Sequence, residues 1–163
     1  MIVIIYTYMM KTPIGTLRLC AEEGALQAIE FAENCTPENI CPAQPVLRRA
    51  VQQLEEYFAG RRTEFDLPLK VSGTEFQRAV WQQLQKIPYG ETRSYGQIAA
   101  VIGNPGAARA VGNACNKNKF LIVIPCHRVC AAQNIGGFAL DLELKRQLLL
   151  LEKPVVMGFL RPL

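Results

Sequence analysis

The fold is decided by residues 94–116, which read SYGQIAAVIGNPGAARAVGNACN. Ser94, followed three residues later by Gln97, forms a capping box, and this pattern predicts the start of a short helix. Asn104 stands as the N-cap of a further helix with Pro105 at its first position, and this helix is predicted to run to about residue 116. Two short helices joined by a tight turn predict a helix-turn-helix, a motif typical of DNA-binding proteins.

The sequence around this motif predicts an α+β protein of two domains. Short β-rich runs separated by turns predict an antiparallel sheet, and hydrophobic residues at helical spacing then predict a helix that Gly60 ends. The β-rich runs are Ile2–Tyr8, Thr16–Cys20 and Ala25–Phe31. We therefore expect an N-terminal α/β domain over residues 1–60, a linker over 61–73, and a mostly helical C-terminal domain over 74–163.

Further elements are predicted on both sides of the helix-turn-helix. Thr74 and Gln77 form a second capping box, so a helix is expected to follow Thr74. Residues 120–124 are an apolar, extended run that we expect to be buried. Residues 141–152 are predicted to form a last amphipathic helix, which Pro154 halts.

The charge distribution favours a polyanionic partner for the middle of the chain. The 163 residues carry 18 Lys and Arg against 14 Asp and Glu, a net charge of +4 that many soluble proteins share. Between Gln77 and Arg128, however, seven basic residues meet a single acid, Glu91. This stretch contains the helix-turn-helix, so the composition supports nucleic acid as its partner.

The cysteine pattern favours free thiols in a reducing compartment. The chain has six cysteines but a single histidine and no C-x-x-C pair, which argues against a zinc site. We see no secretory signal and no apolar run of about 18 residues, so no membrane span is predicted. We expect a cytoplasmic protein with access to DNA, or a nuclear one if the source is eukaryotic.

The segment that most strongly indicates catalytic chemistry is Ile124-Pro125-Cys126-His127-Arg128-Val129, which we call the reactive segment. A cysteine is a nucleophile as the thiolate, and a neighbouring base or cation is the usual activator. His127 is the only histidine, and because sequence neighbours often point apart, a bridging water is favoured over a direct bond to the thiol. A carboxylate commonly orients such a histidine, and Glu152 is a candidate.

The alternative for this segment is a buried structural thiol beside a core histidine. For a cysteine that follows an apolar run this alternative is normally favoured. We keep it for the remaining cysteines, which are Cys20, Cys35, Cys41, Cys115 and Cys130.

Residues 73–152 resemble the alkyltransferase domain of the O6-alkylguanine-DNA alkyltransferase family, and the matching motifs keep their order and spacing. They are Gly73-Thr74-Glu75-Phe76-Gln77, Val80-Trp81, Ile87-Pro88-Tyr89-Gly90-Glu91-Thr92, Ser94-Tyr95, Ile102-Gly103-Asn104-Pro105, Ala108-Arg109-Ala110-Val111-Gly112, Asn118, Ile124-Pro125-Cys126-His127-Arg128-Val129, Gly136-Gly137-Phe138, Lys145, Leu148-Leu149 and Glu152.

The resemblance implies a fold and a reaction. It implies an RNase H-like N-terminal sheet with a helix, followed by a winged helix-turn-helix alkyltransferase domain. The implied activity is that of a methylated-DNA–protein-cysteine methyltransferase, which moves an alkyl group from O6 of guanine to Cys126 once and irreversibly. The implied partner is double-stranded DNA that contains O6-alkylguanine, bound through the minor groove by a monomer, with no cofactor and no metal.

The resemblance also implies a role for each matching residue. Arg109 would enter the base stack after the damaged nucleotide flips out, and Tyr95 would contact the phosphate and the base. Asn118 would tie the recognition helix, which is the second helix of the helix-turn-helix, to the reactive segment. Glu152 would orient His127, and His127 would polarise Cys126 through water. The implied catalytic set is Cys126, His127, Glu152, Asn118, Tyr95 and Lys145. The implied DNA contacts are Arg109, Tyr95, Ala107, Ala108, Gly112 and Arg128, and the implied pocket consists of Val129, Gly137, Phe138 and Ala139.

The chain departs from the family pattern beside the implied pocket. Lys119 stands where the family usually has proline, and Leu140-Asp141 stand where a Gly-Gly pair is common. The range of accepted alkyl groups is therefore left open.

Three other classes of protein would require different residues in this sequence. A non-catalytic lesion-binding relative would have another residue in place of Cys126. A plain helix-turn-helix regulator would need base-reading polar residues on its recognition helix in place of alanines. A cysteine hydrolase would need a glycine-rich oxyanion region near the thiol, whereas Cys126 follows Ile124-Pro125.

Overall fold

The computed structural model describes residues 2–32, 44–136 and 142–153. The chain folds into two compact units. The N-terminal unit comprises Met1–Val71 together with Lys119–Leu121. The C-terminal unit comprises Ser72–Asn118 together with Ile122–Leu163. The chain thus leaves the C-terminal unit for three residues and returns to it just before the reactive segment.

The N-terminal unit is a three-stranded antiparallel sheet with one helix. Its strands are β1 (Tyr6–Thr12), β2 (Gly15–Glu22) and β3 (Ala25–Phe31), in the order β1-β2-β3, and its helix is α1 (Pro45–Phe58). The sheet and the helix pack against each other through leucine side chains that are fully buried and form an apolar core. These side chains include Leu17, Leu19, Leu26, Leu47 and Leu54.

The predicted meander is confirmed, but its first strand lies further along the chain than predicted. The expected run was Ile2–Tyr8, whereas the strand is Tyr6–Thr12. The register gives the reason, because Thr12 pairs with Gly15 and Tyr6 pairs with Ala21. Pairing with β2 ends at Tyr6, so residues 2–5 lie in no strand of the described part of the chain, and their apolar side chains are exposed.

Most of the predicted linker belongs to the N-terminal unit. Leu69 forms a parallel bridge with Leu26, and Lys70 donates its backbone N–H to the Leu26 carbonyl at 2.8 Å. The Lys70 ammonium also pairs with the buried Glu22 carboxylate at 2.8 Å. These contacts fix the end of the segment to the sheet, so the N-terminal unit continues to Val71.

The C-terminal unit is mainly helical. Its elements are α2 (Glu75–Leu84), β4 (Arg93–Ser94), α3 (Tyr95–Val101), α4 (Ala108–Asn116), a single 3₁₀ turn (Cys126–Arg128), β5 (Val129–Cys130) and α5 (Leu142–Glu152). The short strands β4 and β5 pair in parallel, so the segment after the 3₁₀ turn lies beside the start of α3. Within the described ranges, no helix has the length and apolar character that crossing a membrane requires.

Both capping boxes predicted from the sequence are present. Thr74 accepts from the Gln77 backbone N–H, Ser94 accepts from the Gln97 backbone N–H, and each glutamine side chain accepts from the backbone N–H of its cap. Gly103 has φ +81°, the left-handed conformation with which a helix commonly ends.

The second helix of the helix-turn-helix begins three residues later than predicted. It starts at Ala108, and Asn104 and Pro105 belong to the turn before it. The Asn104 carbonyl accepts the Ala107 N–H at 3.0 Å, which closes a β-turn with Pro105 at its second position. Proline is well suited to that position because its φ is already that of the turn.

The apolar run before the reactive segment is buried as predicted but is not extended throughout. Phe120 bridges Ile29 of β3, and the following three residues form a turn. Ile122 is 1% exposed and has φ +71°, a conformation that β-branched residues rarely adopt. The turn redirects the chain from the N-terminal unit into the segment that ends at Cys126.

Candidate active site

Cys126 is held in a buried turn by backbone contacts. It opens the 3₁₀ turn, is 8% exposed, and donates its N–H to the Ile124 carbonyl at 2.8 Å. The same carbonyl accepts Nδ2 of Asn118 at 2.8 Å, and Asn118 follows the end of α4. The predicted tie between the recognition helix and the reactive segment is therefore present as a hydrogen bond.

The surroundings of Cys126 favour the neutral thiol at rest. Burial raises the pKa of Cys126, while the Asn118 side chain and the Lys145 ammonium counteract this in part. A thiol whose pKa is raised needs a nearby base before it can act as a nucleophile.

The candidate base, His127, is fully buried against α5. Its Nε2 lies 2.7 Å from Oε1 of Glu152, which confirms the proximity expected of that carboxylate. Burial opposes ionisation of Glu152, but hydrogen bonds from His127 and Arg128 prevail and bring its pKa to about 2. Because the carboxylate is ionised, it accepts a hydrogen bond, and Nε2 of His127 carries the proton.

The other ring nitrogen of His127 is consequently the basic one. Burial lowers the pKa of His127, so the imidazole is neutral near pH 7. Nδ1 is buried and has no hydrogen-bond partner among the described residues. A neutral imidazole with this tautomer presents an Nδ1 lone pair that can accept a proton.

Lys145 is a buried ammonium close to the reactive segment. It is 0% exposed, donates from Nζ to the Val129 carbonyl at 2.5 Å, and lies 5.8 Å from the centre of the Tyr95 ring. Burial lowers its pKa, while the thiols around it, Cys130, Cys126 and Cys115, act in the opposite direction. Lys145 therefore places positive charge where a thiolate would form.

Tyr95 is enclosed between two glycines of the C-terminal unit. A Cβ on Gly112 of α4 would lie 3.7 Å from the Tyr95 ring, and a Cβ on Gly136 would lie 3.1 Å from the ring and 3.3 Å from its hydroxyl. Burial raises the pKa of Tyr95 to about 12. Tyr95 thus keeps its proton at neutral pH and can donate a hydrogen bond.

The predicted DNA contacts on α4 lie at its beginning. Arg109 is exposed, and Ala107 and Ala108 are partly buried. Gly112, one turn further on, faces Tyr95. The first turn of α4 therefore carries a cation and small side chains at the surface, whereas Ala114 near its end is buried.

Arg128 does not lie where a DNA contact requires it. It is 5% exposed, and its guanidinium donates to both carboxylate oxygens of Glu152, at 2.9 and 2.8 Å. It also donates to the Ile87 carbonyl at 2.8 Å and lies 5.8 Å from the centre of the Tyr89 ring. We correct the prediction: a guanidinium committed to these groups inside the core cannot reach a phosphate.

Arg128 lies in the core and not at the surface where the sequence predicted it, and the turn after α2 that surrounds it was not identified from the sequence. Ile87 and Tyr89 supply the groups around Arg128, and Gly90 lies so close that a Cβ there would be 3.3 Å from the Glu152 carbonyl. One signal was available, because an arginine within an apolar run needs a carboxylate if the run is buried.

The predicted pocket is only partly within the described residues. The carbonyl of the buried Val129 accepts Nζ of Lys145. Gly137, Phe138 and Ala139 lie outside the described residues, as do Leu140, Asp141, Cys35 and Cys41. The described cysteines, Cys20, Cys115, Cys126 and Cys130, are all buried and free.

A helix-turn-helix joined to a buried Cys-His-Glu arrangement defines a class of DNA-binding proteins with a reactive thiol, and comparison with known proteins gives the family. The family model for the 6-O-methylguanine DNA methyltransferase DNA binding domain matches residues 75–154. The model for the ribonuclease-like domain of the same family matches residues 4–71. The chain belongs to the O6-methylguanine DNA methyltransferase family.

Individual relatives agree with the family models along most of the chain. A methylated-DNA–protein-cysteine methyltransferase of Mycolicibacterium paratuberculosis is 58% identical over 150 residues, 87% of this chain and 88% of the relative. The protein of that name from Methanosarcina acetivorans is 44% identical over 152 residues, 90% of this chain and 97% of the relative. The crystal structure of Mycobacterium tuberculosis OGT in complex with DNA matches with a TM-score of 0.84 and 44% identity, over 91% of this chain and 93% of that one. The resemblance and the α+β fold predicted from the sequence are thus confirmed.

Proposed function

We propose that this protein repairs DNA by transferring an alkyl group from O6 of guanine to Cys126, as a methylated-DNA–protein-cysteine methyltransferase. The observation that carries the proposal is the position of Cys126. It lies in a buried turn that Asn118 ties to the end of α4 and that His127 and Glu152 tie to α5. The names of the relatives support the same activity.

The chemistry balances without a cofactor. The Cys126 proton passes toward Nδ1 of His127, directly or through water, and Sγ attacks the alkyl carbon in line. The Sγ–C bond forms as the C–O6 bond breaks, and its electron pair goes to the guanine. The guanine ring takes up one proton from Tyr95 or from water, and the proton that His127 received is released through water to replace it, so the net result is a thioether and normal guanine.

Groups around the thiol stabilise this charge movement. Lys145 places positive charge beside the forming thiolate, and Tyr95, whose pKa is about 12, is a proton-bearing donor toward the base that leaves. A thioether has no leaving group that these residues can activate, so each molecule acts once.

We propose double-stranded DNA containing O6-alkylguanine as the substrate. A buried thiol cannot reach O6 inside a base pair, so the nucleotide must leave the stack. Small residues at the beginning of α4 suit close approach to the minor groove, and the exposed Arg109 suits insertion into the space that the nucleotide vacates. We further propose that a monomer acts, in the cytoplasm, or in the nucleus if the source is eukaryotic.

Intact-mass measurement tests the reaction. The protein is incubated with duplex DNA containing one O6-methylguanine, and we expect the mass of the chain to rise by a single methyl group. Cys126→Ala should gain none, and Cys20→Ala, which removes a buried thiol of the N-terminal unit, should gain one as the wild type does. An unmodified wild type, or a fully modified Cys126→Ala, would contradict the proposal.

A further inference from the structure

Arg128 is a buried cation that is held by several groups of the C-terminal unit. Its guanidinium donates two hydrogen bonds to Glu152 and a third to the Ile87 carbonyl, and one of its faces lies toward the Tyr89 ring. Tyr89 in turn donates from its hydroxyl to the Leu151 carbonyl at 3.3 Å. Burying a cation is costly unless it is paired and hydrogen-bonded, and here the turn after α2 and the end of α5 supply a carboxylate and a carbonyl that accept three hydrogen bonds.

One carboxylate oxygen connects this arginine to the histidine. Oε1 of Glu152 lies 2.7 Å from Nε2 of His127 and 2.8 Å from Nη2 of Arg128. The carboxylate charge is therefore shared between the two side chains. Without the guanidinium, the whole charge would act on the imidazole and would favour a second proton on it.

The two neighbours of His127 act on its charge in opposite directions. Burial is the main cause of its lowered pKa, Glu152 raises the pKa, and Arg128 and Lys145 lower it. The remaining helix packed on the 3₁₀ turn is α2, which contributes apolar side chains, while its charged residues, Glu75 and Arg78, are exposed. Burial thus favours the neutral ring, and among the charges Glu152 acts against the two cations Arg128 and Lys145.

We propose that Arg128 is a positioning residue that neutralises Glu152, so that Glu152 orients His127 without protonating it and leaves Nδ1 free to accept the Cys126 proton. This inference rests on the proposed function, since it assigns the arginine to the preparation of the base. It replaces the surface role that the sequence predicted for Arg128.

The state of His127 can be observed directly because the chain has no other histidine. With ¹⁵N-labelled histidine, NMR should show a neutral ring protonated at Nε2 in the wild type at pH 7. In Arg128→Met, which removes the charge but keeps an apolar stem, we expect the pKa of the ring to rise, so that the ring takes its second proton at higher pH than in the wild type. Arg62→Met, which breaks the Arg62–Glu56 pair of the N-terminal unit, is the matched control and should leave the ring neutral.

A conservative variant separates charge from packing. Arg128→Lys keeps a cation beside Glu152 but loses the bidentate hydrogen bonds. The His127 ring should therefore stay neutral even though the fold is weakened. A doubly protonated ring in Arg128→Lys at pH 7 would overturn the proposal, and so would a ring in Arg128→Met that titrates at the same pH as in the wild type. If Arg128→Met does not fold, Arg128→Gln, which also removes the charge but can still donate a hydrogen bond to Glu152, takes its place.

Methyl transfer gives the second readout. At a pH where the ring of Arg128→Met is doubly protonated, we expect this variant to react at least about tenfold more slowly than the wild type, with recovery as the pH is raised, because deprotonation restores the base. Arg128→Lys should keep the pH profile of the wild type. Failure of the wild type to take a methyl group would contradict the proposed function, whereas the NMR experiment needs no DNA and tests the role of Arg128 independently.

Discussion

The two units of this protein differ in how far their charged side chains are exposed to solvent. In the N-terminal unit, ion pairs lie at the surface: Arg18 and Glu30 are each 36% exposed, and even the buried Glu22 pairs with a half-exposed Lys70. In the C-terminal unit, the His127–Glu152–Arg128 cluster is nearly inaccessible to solvent, and Lys145 is completely so. Replacing buried ion pairs by apolar residues often stabilises a fold, so stability alone does not account for the second arrangement. We infer that the C-terminal unit keeps these charges inside for the chemistry of Cys126.

Removal of one carboxylate from each unit should give the largest contrast. Glu152→Gln leaves the buried Arg128 without its counter-charge, and we expect it to lower the free energy of unfolding by about 3–5 kcal/mol. Glu22→Gln, whose partner Lys70 can turn to solvent, should cost about 1 kcal/mol or less. Urea denaturation measures both, and equal losses would remove the contrast between the units.

Acid should weaken the C-terminal unit through Glu152. Its pKa is lowered to about 2 in the fold against 4.5 as its ordinary value, so its contribution is complete above pH 4.5 and is lost as the pH falls toward 2. By linkage this amounts to roughly 3 kcal/mol. His127 adds to the loss below its ordinary pKa of 6.5, because the fold favours its neutral form.

Trp81 provides the measurement of this acid sensitivity. It is the only tryptophan, it is buried in the C-terminal unit, and its Nε1 donates to the Ala114 carbonyl at 2.9 Å. Its fluorescence should report unfolding at lower urea concentration as the pH falls. In Glu152→Gln the part of the pH dependence that lies below pH 4.5 should be much smaller, and an unchanged dependence there would contradict the assignment to Glu152.

The exposed Arg109 should matter for duplex DNA and not for the chemistry itself. Since it lies at the surface of α4 and outside the buried cluster, Arg109→Ala should slow repair of O6-methylguanine in duplex DNA at least about tenfold. Its reaction with free O6-benzylguanine should be nearly unchanged. Arg78→Ala, which removes another exposed cation of the same unit, serves as the control. Equal losses of Arg109→Ala on both substrates would remove its role in base flipping.

The smallest effect is expected at the Arg18–Glu30 pair. Arg18→Met should change the free energy of unfolding by less than about 1 kcal/mol, and the change should shrink further in 0.5 M salt because both partners are partly exposed. A large or salt-independent loss would show that the pairs of the N-terminal unit are stronger than their exposure indicates.

The parts of the fold that short-range patterns determine could be predicted from the sequence. The capping boxes at Thr74 and Ser94 and the strand Ala25–Phe31 are where the sequence placed them, since each depends on neighbours in the chain. The first strand was placed wrongly because its position depends on pairing with β2. The start of α4 was placed wrongly because an Asn-Pro pair fits a turn as well as a helix N-terminus.

In the candidate site, too, the residues that depend on neighbours in the chain could be predicted, and those that depend on distant packing could not. Cys126 and His127 could be identified from their adjacency, and Glu152 from the need of a histidine for a carboxylate. The groups around Arg128 could not be identified from the sequence, because its partners are 24 residues away at Glu152 and 41 residues away at Ile87. A basic stretch of sequence predicts a surface position for Arg128, and although a buried apolar run indicates a carboxylate partner, only the packing of the turn after α2 shows which groups surround the guanidinium.

The central claim is that the buried charges of the C-terminal unit prepare one thiol, Cys126, for a single reaction. The most direct test is to titrate duplex DNA containing O6-methylguanine against a fixed amount of protein and to map the methyl group by peptide mass spectrometry. We predict that repair stops at one lesion per chain and that the whole label lies on the peptide with Cys126, with none on Cys115 or Cys130. Repair of more lesions than there are protein chains, or label on either neighbouring thiol, would contradict the account.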